Sequence, residues 1–287
     1  MNKLIRKSLD FLLFSNVFIA LCAVAQGLLC YRLLKVEPDK LVLGVLFCST
    51  LAMYNYSILL SKPTDLQYSA LRCAQWGFSH RRLTATITLL AILPIMPLAF
   101  FLALSSQILL FILALISFAY NLPLFRSEQK KFGLRNIPGI KFLLISLVWS
   151  LSCVLLPILE LEKQQIFITV ADTILLIAAE LVFIAAITIP FDIRDLFQDR
   201  EDELKTIPVR FGEKKAYRFC FTLLSCYLTL LYLFTGNFNA DFIALAFSVV
   251  LAGWIIFKSN WRKNEYYYFL YIDGIMIIQY LFIATIS

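Results

Sequence analysis

The sequence predicts an all-α integral membrane protein with nine transmembrane helices in a bundle around a central cavity and a cytoplasmic N-terminus. Three observations support this fold class. The 287 residues are 61% hydrophobic and 16% charged, and the mean hydropathy of +0.81 is too high for a soluble domain of this length. Apolar stretches of about 20 residues, enough to cross a bilayer at 1.5 Å per residue, recur between polar breaks. Finally, Lys and Arg are concentrated in alternate connecting segments.

The nine predicted spans follow one another with short breaks, and nothing in the chain indicates a second domain, so residues 1–287 are expected to form one. The approximate spans are 11–31, 41–60, 83–103, 106–121, 138–159, 165–190, 215–235, 240–257 and 266–286. Only Leu104 to Ser106 separate the third span from the fourth, so an error there would invert every later loop. The N-terminus also resembles a signal peptide, but its apolar run continues to Tyr31, which favours a first membrane helix.

The basic residues give an independent test of the topology, because cytoplasmic loops retain Lys and Arg. With the N-terminus inside, 21 of the 26 basic residues fall in cytoplasmic segments, four fall outside, and Lys141 lies at a span end. The four outside are Arg32, Lys35, Lys40 and Lys163. The short outer loops and the larger inner ones, at about 61–82, 122–137 and 191–214, predict a site that opens to the cytoplasm.

Ionisable side chains inside a span cost about 2.5 to 3.5 kcal/mol on insertion, so they are expected to face the bundle interior. Asp172, Glu180 and Asp273 are the three such residues. The seven cysteines form no CxxC pair, and His80 is the only histidine. These residues predict neither a disulfide framework nor a His-based metal site or catalytic triad.

An acidic stretch, Asp192 to Glu203, directly follows the sixth predicted span. It holds six carboxylates in twelve residues of a chain whose net charge is +7. If it is helical, Asp192, Asp195, Asp199 and Asp202 share one face. Carboxylates held this close repel each other unless a cation lies among them. The stretch therefore predicts either a Mg²⁺ site that could hold a phosphate group or a solvated acidic face neutralised by nearby Arg residues.

The segment DIRDLFQDREDELKTIPVRFG, residues 192–212, resembles the second aspartate-rich motif of the UbiA superfamily of intramembrane prenyltransferases. In that family a DxxxD element ends the sixth helix, and a Lys-Thr-apolar-Pro-Val-Arg-apolar-Gly run follows. Asp195 and Asp199 match the first, and Lys205 to Gly212 match the second. The segment from Tyr120 to Arg126 is similar, less specifically, to a tyrosine-and-base element of the family.

The resemblance implies Mg²⁺-dependent transfer of a prenyl group from a prenyl diphosphate to a lipophilic acceptor, with an aromatic or quinone-precursor acceptor expected. It implies that Asp195 and Asp199 are catalytic metal ligands, joined by Asp192 and Asp202. The residues implied in substrate binding, most of them through the diphosphate, are Asn55, Tyr120, Arg126, Lys141, Arg194, Arg200 and Lys205. Membrane lipid is expected as a partner and nucleic acid is not, and the expected location is a bacterial inner membrane.

The first aspartate-rich motif of the family, NxxxDxxxD at the end of the second helix, is degenerate. Asn55 is present, but Leu59 and Pro63 occupy both aspartate positions. Asp65 lies two residues beyond the expected place, or about 200° around a helix, so it cannot replace either aspartate on the same face.

Three alternatives to an active transferase follow. The first is a non-catalytic homologue that binds an isoprenoid or quinone lipid or supports a partner enzyme. The second is a small-solute transporter, which should carry its polar groups near the membrane midplane. The third is a CDP-alcohol phosphotransferase, whose expected DGxxAR signature is absent from the sequence.

Overall fold

The computed structural model describes residues 3–61, 71–122, 125–127, 130–132, 139–201, 204 and 206–286. Within them the chain is almost entirely helical, with one short antiparallel hairpin that pairs Phe125 with Phe132. The elements are α1 (Lys3–Phe14), α2 (Val17–Leu33), α3 (Lys40–Leu60), α4 (Arg72–Ser79), α5 (Arg81–Phe100), α6 (Leu104–Asn121), β1 (Phe125–Ser127), β2 (Lys130–Phe132), α7 (Ile140–Ser150), α8 (Leu156–Lys163), α9 (Val170–Arg194), α10 (Leu196–Glu201), α11 (Ile207–Phe211), α12 (Glu213–Thr235), α13 (Ala240–Lys258) and α14 (Gly274–Ile286). Two π-helical turns, Leu151–Leu155 and Tyr267–Ile272, join α7 to α8 and precede α14.

Seven helical segments are long and apolar enough to cross a membrane. Helices α1 and α2 form an eighth candidate if they count as one bent span, and α6 is a shorter apolar helix. These segments correspond in order to the nine predicted spans, which confirms the fold class, while the count of nine remains a prediction. Exposed apolar side chains such as Leu89, Phe111 and Trp254 cover the outer faces, as expected where helices contact lipid.

The first span is broken between α1 and α2, which are bent by 59°. Asn16 lies at the break with φ 64°, in the left-handed region that Asn tolerates better than most residues. The bend directs α1 across the end of the bundle toward α4. Asp10 and Phe14 of α1 thereby reach side chains of the loop region after α3.

Helix α9 lies at the centre of the bundle and packs mainly against α12 and α7. Its buried residues, including Phe183, Ile187 and Ile193, join one apolar core with residues from α2, α3, α12, α13 and α14. Because this core includes α9 residues from Ala179 to Ile193, the residues that follow Pro190 are held against the neighbouring helices.

Two of the three ionisable residues predicted to face the interior do so: Glu180 is 6% exposed and Asp273 is 8% exposed. Asp172 does not. It lies in the first turn of α9, where its backbone N–H donates to the Thr169 hydroxyl and its carboxylate accepts from that hydroxyl. The prediction for Asp172 was wrong because α9 begins only at Val170, and an acid in the first turn is stabilised by the helix N-terminus.

Candidate active site

The acidic stretch does not form one continuous helix. Helix α9 ends at Arg194, Asp195 is its C-terminal cap, and α10 begins at Leu196. The break is small, because Asp195 N–H donates to Phe191 O at 3.0 Å and Asp199 N–H donates to Asp195 O at 2.8 Å. Asp192, Asp195 and Asp199 therefore remain close enough to interact electrostatically, and we call them the aspartate cluster. The expected fourth member, Asp202, lies outside the described residues.

Asp192 is neutralised by a lysine from the neighbouring helix α7. Lys141 Nζ lies 2.6 Å from Asp192 Oδ1, and the side chains are 24% and 2% exposed. Because α7 packs along α9, the Lys141 side chain reaches Asp192 directly across the contact between the two helices. Lys141 also interacts electrostatically with Asp199 and with Tyr120 at the end of α6. The structure thus brings together the acidic stretch, Lys141 and Tyr120, which the resemblance implied in one site.

The side chain of Arg194 is only 10% exposed and is held from two sides. Its Nε and Nη2 atoms donate to the two carboxylate oxygens of Asp195 at 2.7 and 3.0 Å. Its guanidinium lies over the rings of Phe191, Tyr268 and Phe269 at 5.2 to 5.5 Å, a cation–π arrangement. The remaining nitrogen, Nη1, is buried and has no hydrogen-bond partner within the described chain.

Asp199 is the least neutralised member of the aspartate cluster. It is 5% exposed, and its Oδ2 atom makes no hydrogen bond within 3.5 Å among the described residues; the Thr206 hydroxyl, likewise unpaired, is a nearby donor and lowers the pKa of Asp199. Burial raises the pKa of Asp199 to about 6, with Lys141 opposing that rise and the charges of Asp192 and Asp195 adding to it. A buried acceptor of this kind is suited to a cation.

The end of α3, where the family's first motif would lie, is built differently. Asn55 is fully buried, its Oδ1 accepts from Asn16 Nδ2 at 2.9 Å, and its Nδ2 donates to Ser15 O at 3.0 Å. Both ends of the amide thus bind the break between α1 and α2. Further along, Arg81 donates to Leu59 O at 2.7 Å, so a basic residue satisfies the last turn of α3.

A network that the sequence did not reveal closes this side of the bundle. The Glu265 carboxylate accepts from the backbone N–H groups of Arg72 and Cys73, at the start of α4. Arg72 Nη2 donates to both carboxylate oxygens of Asp10 at 3.1 Å, and the Tyr266 hydroxyl also donates to Asp10. The partners are 62 and more than 190 residues apart, and no motif or spacing signals such contacts.

For the other predicted site residues, the described part of the chain shows no contact with the aspartate cluster. Arg200 is exposed on α10, and Arg126 lies in β1 with its side chain outside the description. Lys205 also lies outside the described residues. Within the parts of the chain that are described, no group of three His, Cys, Asp or Glu side chains is arranged to hold a metal ion on its own.

Comparisons of the sequence and of the fold with known proteins indicate the same family. The sequence profile of the UbiA prenyltransferase family matches residues 77–268. No curated protein sequence matches the chain significantly.

Solved structures share the fold. A UbiA homolog from Archaeoglobus fulgidus bound to DMAPP and Mg²⁺ superposes with a TM-score of 0.66 at 14% identity, covering 96% of each chain. The same homolog bound to GPP and Mg²⁺ gives 0.62 at 14% identity, covering 96% of this chain and 97% of that one. Digeranylgeranylglyceryl phosphate synthase gives 0.58 at 16% identity, covering 97% of each chain. The profile match spans most of the chain, and it establishes that this integral membrane protein belongs to the UbiA prenyltransferase family.

Proposed function

We propose that this protein transfers a prenyl group from a prenyl diphosphate to a lipophilic acceptor within the membrane, with Mg²⁺ as cofactor. The acceptor class we propose is an aromatic ring or quinone precursor. Membership of the family and the similarity to homologs that bind DMAPP or GPP with Mg²⁺ support prenyl transfer in general. One observation carries the proposal to this chain: Asp199 Oδ2 is a buried acceptor without a partner, beside two further aspartates and two fixed cations.

The donors present fit one metal ion. Mg²⁺ usually binds through one or two carboxylates and completes its shell with water and substrate phosphate, so a three-carboxylate cage is not required. We propose Asp199 and Asp195 as its ligands, with Asp192 and Asp202 in support. Bound Mg²⁺ would neutralise the diphosphate as it leaves the prenyl carbon.

The charges around the site support binding of a diphosphate. The aspartate cluster contributes three negative charges, and Lys141 and Arg194 contribute two positive ones, so the five residues sum to −1. One divalent ion changes this sum to +1, which attracts an anion. The unpartnered Nη1 atom of Arg194 is the donor we propose for a diphosphate oxygen. We propose Lys141, Arg126, Arg200 and Lys205 as further contacts.

The substitution of the first motif leads us to propose a single-metal site. Leu59 and Pro63 stand where the family has aspartates, and the Asn55 amide is bound to Asn16 and Ser15. Lys141 and Arg194 would then neutralise the part of the diphosphate charge that a second metal ion, held by an intact first motif, would otherwise neutralise.

The remaining proposals concern location and extent. We propose that the aspartate cluster faces the cytoplasm of a bacterial inner membrane, on the basis of the Lys and Arg distribution. We also propose that residues 1–287 form one domain, because a single core cluster runs from Ile19 in α2 to Ile283 in α14.

The test uses the full chain in lipid nanodiscs with labelled DMAPP and GPP, with and without Mg²⁺. Mg²⁺-dependent binding that Asp199→Asn removes, together with product formation on a panel of lipophilic aromatic acceptors, would support the proposal. Binding that is indifferent to Mg²⁺ and to Asp199→Asn would refute it. The matched control is Asp172→Asn, which changes an acid at the opposite end of the same helix.

The second candidate is a non-catalytic homologue that binds an isoprenoid or quinone lipid or supports a partner enzyme. The loss of both first-motif aspartates favours it. It predicts the same Mg²⁺-dependent binding of GPP, without turnover on any acceptor of the panel.

A further inference from the structure

Helix α1 has an apolar face that the bundle does not cover. Ile5 is 53% exposed and Phe11 is 46% exposed. At about 100° per residue, these two side chains and Leu12 share an arc of about 120° on the helix. The basic residues Arg6 and Lys7 are also exposed, and they lie outside this arc. Apolar side chains on one face with basic side chains beside it are typical of a helix that lies along a membrane surface.

The direction of α1 is set by fixed groups at its junction with α2. The 59° bend between the two helices lies at Asn16, and the Asn55 amide binds the break through Ser15 O and Asn16 Nδ2. Helix α2 alone has 17 residues, or about 26 Å, which is most of the hydrocarbon thickness of a bilayer. Helix α1 is therefore not needed to complete the span, and the bend directs it along the membrane surface.

The opposite side of α1 binds α4. Asp10 accepts from Arg72 Nη2 at 3.1 Å and from the Tyr266 hydroxyl. Phe14 is 3% exposed, and its ring centroid lies 6.3 Å from that of Trp76 and 6.0 Å from that of Tyr266. The Arg72 guanidinium lies over the rings of Phe14 and Tyr266 at 5.8 and 5.2 Å. One turn of α1 thus supplies both an acid and an aromatic ring to α4.

The position of α4 matters because its first turn lies beside the aspartate cluster. Cys73 interacts electrostatically with Arg194 and Asp195. The N-cap residue of α4 provides no side-chain hydrogen bond, and Glu265 accepts from the Arg72 and Cys73 N–H groups instead. With eight residues, α4 is too short to be stable as an isolated helix. Contacts from outside α4 therefore decide where it lies.

We propose that α1 is a lipid-binding arm: its apolar face lies in the headgroup layer of the membrane, its basic residues contact anionic lipid headgroups, and its Asp10 holds α4 beside the aspartate cluster. Lipid is the occupant because α1 leads directly into a membrane span of an integral membrane protein. Arg6 and Lys7 favour an anionic surface over a neutral one. The proposal does not depend on transferase activity.

Photo-cross-linking in the full chain tests the lipid contact. The nanodiscs contain phosphatidylglycerol and phosphatidylcholine in equal amounts, and p-azidophenylalanine replaces Phe11 or, as the matched control, the buried Phe14. We expect lipid adducts at position 11, with at least about threefold more phosphatidylglycerol than phosphatidylcholine, and protein adducts at position 14.

Variants assign the lipid preference to α1. Arg6→Gln combined with Lys7→Gln should remove the preference for phosphatidylglycerol. Arg32→Gln combined with Lys35→Gln, at the far end of α2, should leave it unchanged. Equal labelling of the two lipids in the unaltered chain, or adducts at position 11 only with water or with a second copy of the chain, would overturn the proposal.

Hydrogen exchange of the α4 amides tests whether α1 holds α4. Asp10→Ala should raise the exchange rate in α4 at least about tenfold, because α4 loses its partner in α1, while Asp172→Ala should leave it unchanged. Arg72→Gln removes the same contact from the other side if Asp10→Ala does not fold. Exchange in α4 that neither variant changes would overturn this part. All measurements omit Mg²⁺ and diphosphate, so failure of the proposed transferase function does not affect them.

Discussion

Helices α3 and α9 end in polar residues that correspond to the two aspartate-rich motifs of the family, but they use those residues differently. At the end of α9, Asp192 and Asp195 each bind a basic side chain, and Asp199 keeps an unpartnered oxygen. At the end of α3, the Asn55 amide is fully used in joining α1 to α2. Under the proposed function, the end of α9 keeps its charge for a diphosphate, while the corresponding end of α3 serves as structural support.

The largest effect is expected from removing the carboxylates we propose as metal ligands. Asp199→Asn and Asp195→Asn should each weaken Mg²⁺-dependent GPP binding more than about 100-fold, because even outer partners of metal ligands account for 10- to 100-fold. Titration calorimetry in nanodiscs measures this. If both variants bind GPP as the unaltered chain does, the end of α9 is no more a binding site than the end of α3.

The pH dependence of metal binding should show the same carboxylate. The pKa of Asp199 is raised to about 6, chiefly by burial. Because a metal ligand must be deprotonated, protons compete with Mg²⁺ below that pH, and affinity should fall up to about tenfold per pH unit between pH 6 and 5. Above pH 7 the affinity should be flat. The remaining affinity of Asp199→Asn should lack this step, and a step that persists in the variant belongs to another group.

A smaller effect is expected where the charges of the cluster are balanced. Lys141→Met leaves Asp192 buried beside an uncharged side chain, and it should cost about 2 kcal/mol of stability. This is less than the loss for a fully buried pair, because Lys141 is 24% exposed. Thermal unfolding followed by tryptophan fluorescence measures the loss. The double variant Lys141→Met with Asp192→Leu should recover most of it, and equal instability of both variants would argue against the ion pair.

The smallest effect on binding is expected at the other end of the comparison. Asn55→Leu leaves Ser15 O and Asn16 Nδ2 without their partner, which should cost about 1 to 3 kcal/mol of stability. GPP affinity should change by less than about threefold once the protein is folded. A much larger loss of GPP affinity at unchanged thermal stability would indicate that Asn55 belongs to the substrate site.

The sequence was sufficient for the features that are local. Spans of 20 apolar residues, the acidic stretch and the Lys205 to Gly212 run predicted the membrane helices and the family, both confirmed. The break at Asp195 was not predicted, because a helix period persists through it. Asp172 was misplaced because span ends are uncertain by a turn, and one turn separates the interior of a helix from its cap.

Long-range pairing could not be read from the sequence. The contact of Lys141 with Asp192 depends on the packing of α7 on α9, and no property of either segment specifies it. The same holds for Arg72 with Asp10 and for Gln26 with Gln279, whose partners are 62 and 253 residues apart. Such contacts follow from topology, which fixes which helix ends meet.

We propose that this protein holds a diphosphate with one metal ion at the end of α9 and with none at the end of α3. Counting Mn²⁺ bound per chain at saturating GPP, by electron paramagnetic resonance of the full chain in nanodiscs, tests this directly. We expect one ion per chain, lost in Asp199→Asn and retained in Asn55→Leu. Two ions per chain, or one ion that persists in Asp199→Asn, would contradict it.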